Sequence, residues 1–218
     1  MTRNSVWHDD NWLLLMQAYL EEPVGVKPLY SRTMVNLSLE LHIPPQSLQN
    51  RMKQIARLST PRIERIWRTY SADPKRLARA VRLLREMKGF GDADAFYDGV
   101  ELQETFERDF RPLPADERFT PVMLCLILDI YFQLTPSTMT PKTPEVAELA
   151  RLIRRKPSEV TEVLEVYQIC DPYLERSDVT LSPLLLPCQQ MWQRMSDKEP
   201  QDIHALAEEL KEYYRSDK

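Results

Sequence analysis

The stretch S-R-T-M-V-N-L-S-L-E-L-H-I-P-P-Q-S-L-Q-N-R-M-K-Q-I-A-R-L, residues 31–58, decides how this chain is read. On both sides of H-I-P-P, apolar residues recur every three or four positions. That is the period of an amphipathic helix. Ser31 stands where an N-cap hydroxyl would satisfy an orphan amide. The residues 42–45 are expected to form a short turn between two helices. At about 100° per residue, the helix expected over 46–58 sorts into two stripes. Leu48, Met52, Ile55 and Ala56 form one, which should face a core. Gln46, Ser47, Asn50, Lys53, Gln54 and Arg57 form the other, and no acid interrupts it.

Further helices extend outward from this pair. A first helix is expected over 12–19, a fourth over 61–71 and a fifth over 74–88. The pattern then returns 112 residues later. Leu15, Ala18 and Tyr19 align with Ile127, Ile130 and Tyr131; Pro45, Leu48 and Met52 align with Pro157, Val160 and Leu164. After an insertion, Trp67, Ser71, Pro74 and Leu77 match Trp192, Ser196, Pro200 and Ile203. Thr143 takes the capping place of Ser31. Helices follow over 158–170, 184–196 and 200–215, and 176–187 has room for a short strand. The reading is an all-α chain of two related multi-helix halves. Residues 1–90 form the first and 118–218 the second. Residues 91–117 join them, with a short amphipathic helix over 100–110.

The two central helices have helix-turn-helix spacing. Ser38, His42, Leu48 and Arg51 hold the small, turn and anchor positions of the first copy. Ala150, Arg154, Val160 and Val163 hold them in the second. Residues 7–58, and more faintly 119–170, resemble bacterial helix-turn-helix proteins. The opening W-H-D-D-N-W-L-L-L-M-Q-A-Y-L resembles the tryptophan-led first helix of Myb/SANT-type domains. The resemblance implies a DNA-binding fold, although such folds also serve as protein-interaction modules. Two positions depart from the pattern. The turn carries histidine or arginine where glycine is usual, and Arg51 replaces an apolar anchor.

Charge points the same way. The net charge is −4, yet residues 51–90 carry twelve basic and three acidic side chains, net +9. Residues 91–120 carry net −6 and the remainder after 120 net −5. Lys75, Arg79, Arg82 and Arg85 fall on one stripe of the fifth helix, opposite Leu77, Ala80, Val81, Leu84 and Met87. Arg62, Arg65 and Arg68 add a line on the fourth. Glutamine, asparagine and arginine can read base edges, and lysine and arginine neutralise phosphates. The expected DNA-binding set is therefore Gln46, Ser47, Asn50, Lys53, Gln54, Arg57, Arg62, Arg65, Lys75, Arg79, Arg82 and Arg85, on double-stranded DNA. In the second copy Glu159, Glu162 and Glu165 line the corresponding helix. That half is expected to contact protein, a partner or a second copy. The acidic connector is expected to screen the basic block. The rival reading is an adaptor or scaffold whose basic block takes an acidic partner.

Other classes have little support. His8, His42 and His204 are isolated, and no zinc, phosphate-loop or nucleophile-elbow motif occurs. Neither catalysis, a cofactor nor a metal is expected. Three widely spaced cysteines suit a reducing, cytoplasmic setting. No apolar run approaches the roughly 20 residues of a membrane span. The first ten residues hold no apolar segment of a signal peptide.

Overall fold

The sequence has 17 prolines and 4 glycines, and the helix starts explain why. Seven helices begin on a proline: 45, 61, 74, 121, 144, 157 and 200. At the first helical position the missing N–H is no loss, and the fixed φ is already helical. The computed structural model describes residues 7–87, 90, 106–174 and 182–215. Among these the chain is all-α: eleven α-helices, one 3-10 turn at Pro136–Thr138 and no strand. It divides into two compact units, Met1–Gln103 and Glu104–Lys218.

In the first unit α1 is Asn11–Leu20, α2 Arg32–Leu41, α3 Pro45–Ala56, α4 Pro61–Tyr70 and α5 Pro74–Arg85. α1 packs against all four others, and none of its side chains is exposed. Its C-terminus is closed by Lys27, whose Nζ donates to the carbonyls of Glu21 (2.6 Å) and Pro23 (2.5 Å). Burial lowers the pKa of this amine, and the Glu21 carboxylate opposes that shift. Thr60 and Asp73 cap α4 and α5 by accepting from the amides of Ile63 and Arg76. The expected cap at Ser31 does not form. Its hydroxyl is buried without a partner, and α2 starts without a side-chain cap. Thr143 likewise donates to the carbonyl of Thr138 instead of capping.

The turn between α2 and α3 explains two sequence features at once. His42 takes a left-handed conformation, φ 52°. The Ile43 amide then reaches back to the Ser38 carbonyl at 3.1 Å, closing the end of α2. Ser38 is fully buried, and its hydroxyl donates to the Ile43 carbonyl. A small residue is required there, and this one is also satisfied. The left-handed state costs a non-glycine residue about 1–2 kcal/mol.

In the second unit α6 is Phe106–Phe110, α7 Pro121–Gln133, α8 Pro144–Leu152, α9 Pro157–Cys170, α10 Leu185–Met195 and α11 Pro200–Arg215. α7 is the central helix, with residues 122–131 all buried. At the α8–α9 turn Arg154 has φ 57°, and the Arg155 amide reaches the Ala150 carbonyl at 2.8 Å. α6, inside the stretch expected to join the halves, falls in this unit. Asp109 forms a bidentate pair with Arg194 (2.7 and 2.8 Å), and Phe110 stacks on Tyr213 at 5.0 Å. Residues 100–105 of the helix expected over 100–110 lie outside the described residues. So does 176–181 of the expected strand. The rest of that stretch turns into α10.

The acidic face expected on α9 is partly neutralised. Arg118 lies 2.6 Å from Asp116, 3.3 Å from Glu159 and 3.5 Å from Glu162. Hydrogen bonding to Arg118 lowers the Asp116 pKa. The Lys156 amide, then Arg118, lowers that of Glu159. Depressed carboxylates stabilise the fold above their ordinary values, 3.8 and 4.5, and lose that contribution as the pH falls below them. After solvent screening the cluster is worth about 1 kcal/mol. Arg118→Ala should therefore lower the melting temperature by about 2–4 °C at pH 7 and by progressively less towards pH 3. An equal loss at both pH values in circular-dichroism melts would contradict this origin.

Candidate nucleic-acid interface

The α3 face forms as the periodicity requires. Leu48, Met52 and Ile55 are buried. Gln46, Ser47, Asn50, Lys53, Gln54 and Arg57 are all exposed. Ala56, expected in the core, is exposed with them. Gln46 donates to the Asn50 side-chain oxygen at 3.3 Å, one helical turn on. Gln49 ties the helix to the preceding loop by donating to the Lys27 carbonyl at 3.2 Å.

Arg51 has a structural task where an apolar anchor was expected. Its guanidinium lies 4.1 Å from the centre of the Trp7 ring, and Trp7 meets Trp12 edge to face at 4.9 Å. Burial lowers the Arg51 pKa, and its Nε has no hydrogen-bond partner. The stem and the stacked plane fill the place of an apolar side chain. Only the doubled tryptophan, Trp7 and Trp12, hinted at this contact in the sequence.

α2 packs on α3. α3 and α4 share a small apolar cleft lined by Trp12, Met16, Ile55, Ile63, Ile66 and Trp67. α4 packs on α5. α5 returns to α2 through a bidentate pair from Arg85 to Glu40, at 2.5 and 2.8 Å. All four helices pack on α1, whose half-buried residues Leu13, Gln17 and Leu20 share one stripe.

Arg62, Arg65 and Arg68 are exposed on α4, and Lys75, Arg79 and Arg82 on α5. Arg85 is paired: its hydrogen bonds to Glu40 raise its pKa and link α5 to α2. Arg62 pairs with Asp9 at 2.7 Å, an exposed contact that contributes little. Among the described residues, Lys53, Arg57, Arg65, Lys75 and Arg79 make no ion pair. Met87 was placed on the buried stripe of α5; it is 60% exposed, and Leu83 beside it 51%.

The second unit carries different chemistry. His204 is not isolated. Its Nδ1 lies 3.0 Å from Asp129, a carboxylate buried within α7 that also accepts from Gln133 at 2.8 Å. Burial pushes the Cys125 and Cys188 thiols up to about 12 and Cys170 to about 11, so all three stay protonated at neutral pH. No group of three or more metal-ligating side chains occurs among the described residues. None of their helices is long and apolar enough to cross a membrane. No family model, curated protein or solved structure matches the chain.

If Arg51 acts by packing, an apolar residue of similar length can replace it. Arg51→Leu should keep the stability within about 1 kcal/mol, because it removes a buried donor without a partner. Trp7→Ala should cost about 1–2 kcal/mol, by exposing Trp12 and unstacking the guanidinium. Urea unfolding checks both. A loss above about 2 kcal/mol in Arg51→Leu would contradict the packing role.

Proposed function

We propose that the first unit binds duplex DNA through the outward face of α3, flanked by the arginines of α4. The observation that carries this reading is the composition of that face. It presents three carboxamides, two cations and a hydroxyl, all exposed, with no carboxylate among them. A helix entering the major groove needs donors and acceptors at base edges and no charge that phosphates repel. Arg57, Arg62 and Arg65 follow at the end of α3 and the start of α4, where strand phosphates would pass.

We further propose that the two units are copies of one module and that the second takes protein. Three recurrences support common descent. The left-handed turn residues His42 and Arg154 are 112 apart, and so are the prolines that begin α3 and α9. Tyr19 meets Trp67 edge to face at 5.9 Å, and Tyr131 meets Trp192 in the same manner at 5.6 Å. What favours a protein partner is apolar exposure on the second unit: Tyr173 is 92% exposed and Leu186 63%. The adaptor reading, with the basic surface on an acidic protein, draws support from Leu83 and Met87.

Salt dependence tests the DNA reading. With about four phosphates neutralised, log K should fall against log salt with a slope near −3.6, about a hundredfold between 50 and 200 mM. Lys53→Glu with Arg57→Glu and Arg65→Glu should weaken binding by more than tenfold. Asn50→Ala with Gln54→Ala should mainly flatten discrimination among duplex sequences. If the full chain binds no duplex at 50 mM salt, the reading fails.

A further inference from the structure

Each unit exposes one helix face on which charge gives way to apolar surface, and the two faces are opposite in sign. On α5 the residues Lys75, Arg79 and Leu83 recur at every fourth position, and all are exposed. Arg82 is exposed beside them. Met87, also exposed, stands two residues past the end of the helix. On α9 the solvent side is narrow. Ser158, Glu162, Glu165 and Ile169 fall within about 60° of arc. Between Val160 and Gln168 every other residue is buried. Glu165 is exposed, and Glu162 and Ile169 are half-buried. The exposed Tyr173 stands three residues past the end of this helix.

The spacing on the two faces agrees. Leu83 follows Arg79 by four residues and Ile169 follows Glu165 by four, about 6 Å along either axis. Lys75 precedes Arg79 by four residues, and Glu162 precedes Glu165 by three. Laid side by side in parallel, the helices set Arg79 against Glu165, Lys75 against Glu162 and Leu83 against Ile169, and they bring Met87 towards Tyr173. The antiparallel arrangement would put Leu83 against Glu162. Contacts within the chain leave these groups available. Among the described residues, Lys75, Arg79 and Glu165 make no ion pair. Arg82 lies 3.8 Å from Glu86, and Glu162 3.5 Å from Arg118, both loose contacts open to solvent. We propose that α9 of one chain docks in parallel on α5 of a second copy, with Arg79 on Glu165 and Leu83 on Ile169. This rests on the reading that the second unit takes protein, and it names that protein as the chain itself. Covering Leu83, Met87, Ile169 and Tyr173 supplies the attraction. The ion pairs add little affinity but fix the register and disfavour other pairings. The contact joins unlike faces, so every chain carries one of each.

The test is sedimentation equilibrium of the full chain over a concentration series. At 50 mM salt the mass should rise with concentration above the 25.7 kDa of one chain. At 500 mM salt it should rise less, because exposed charges are then screened. Arg79→Glu and, in a separate chain, Glu165→Arg should each weaken association by more than tenfold. An equimolar mixture of these two variants should recover it. In the mixture the reversed α5 meets the reversed α9, and the unaltered faces meet each other. Leu83→Ser with Tyr173→Ser should also weaken association by more than tenfold. A wild-type mass of 25.7 kDa at every concentration would overturn self-docking and leave the second unit to take another protein. Association that neither Glu165→Arg nor the Leu83 and Tyr173 variant reduces would overturn self-docking and also take from the second unit the protein contact proposed for it at Tyr173. Loss in both charge-reversed variants without recovery on mixing would overturn the pairing of these two faces.

Discussion

The first unit depends on the packing of α1. Six of its ten residues are buried and none is exposed. Four helices pack against it. Because α3 and α5 bury their apolar stripes, their polar stripes face solvent. The exposed cations of residues 51–87 are spread over α3, α4 and α5.

Much of this was legible in the sequence because it is local. The stripes of α3 and α5 follow from a period of 3.6 residues, and burial of Leu48, Met52, Leu77 and Val81 follows from the stripes. Prolines at first helical positions mark the starts of α3, α4 and α5. What the sequence concealed is tertiary. Arg85 looked like a phosphate ligand because its partner, Glu40, is 45 residues away. Arg51 looked like a broken anchor because Trp7, which covers it, precedes the motif. Met87 and Ala56 fall on the apolar side of their wheels, yet both lie at helix ends, where no neighbour reaches them. Left-handed turns at His42 and Arg154 could not be read from residues that seldom adopt them. The hydrogen bonds from Ile43 to Ser38 and from Arg155 to Ala150 hold them there.

The second unit also has a buried central helix, with a different surface around it. α7 is as thoroughly buried as α1, but the polar groups around it turn inward. Asp129 is 2% exposed, in contact with His204 and Gln133. Arg118 gathers Asp116, Glu159 and Glu162 into one cluster and leaves Glu165 exposed. A groove lined by phosphates would meet carboxylates here, where α3 offers carboxamides. This contrast is the physical basis of the proposal that the first unit takes DNA and the second protein.

The most direct measurement of that assignment is amide chemical-shift mapping of the full chain with one equivalent of duplex. The account predicts the largest changes at Gln46, Asn50, Lys53, Gln54 and Arg57, with smaller ones at Arg62 and Arg65. Changes confined to α8 and α9, or none at saturating duplex, would contradict it.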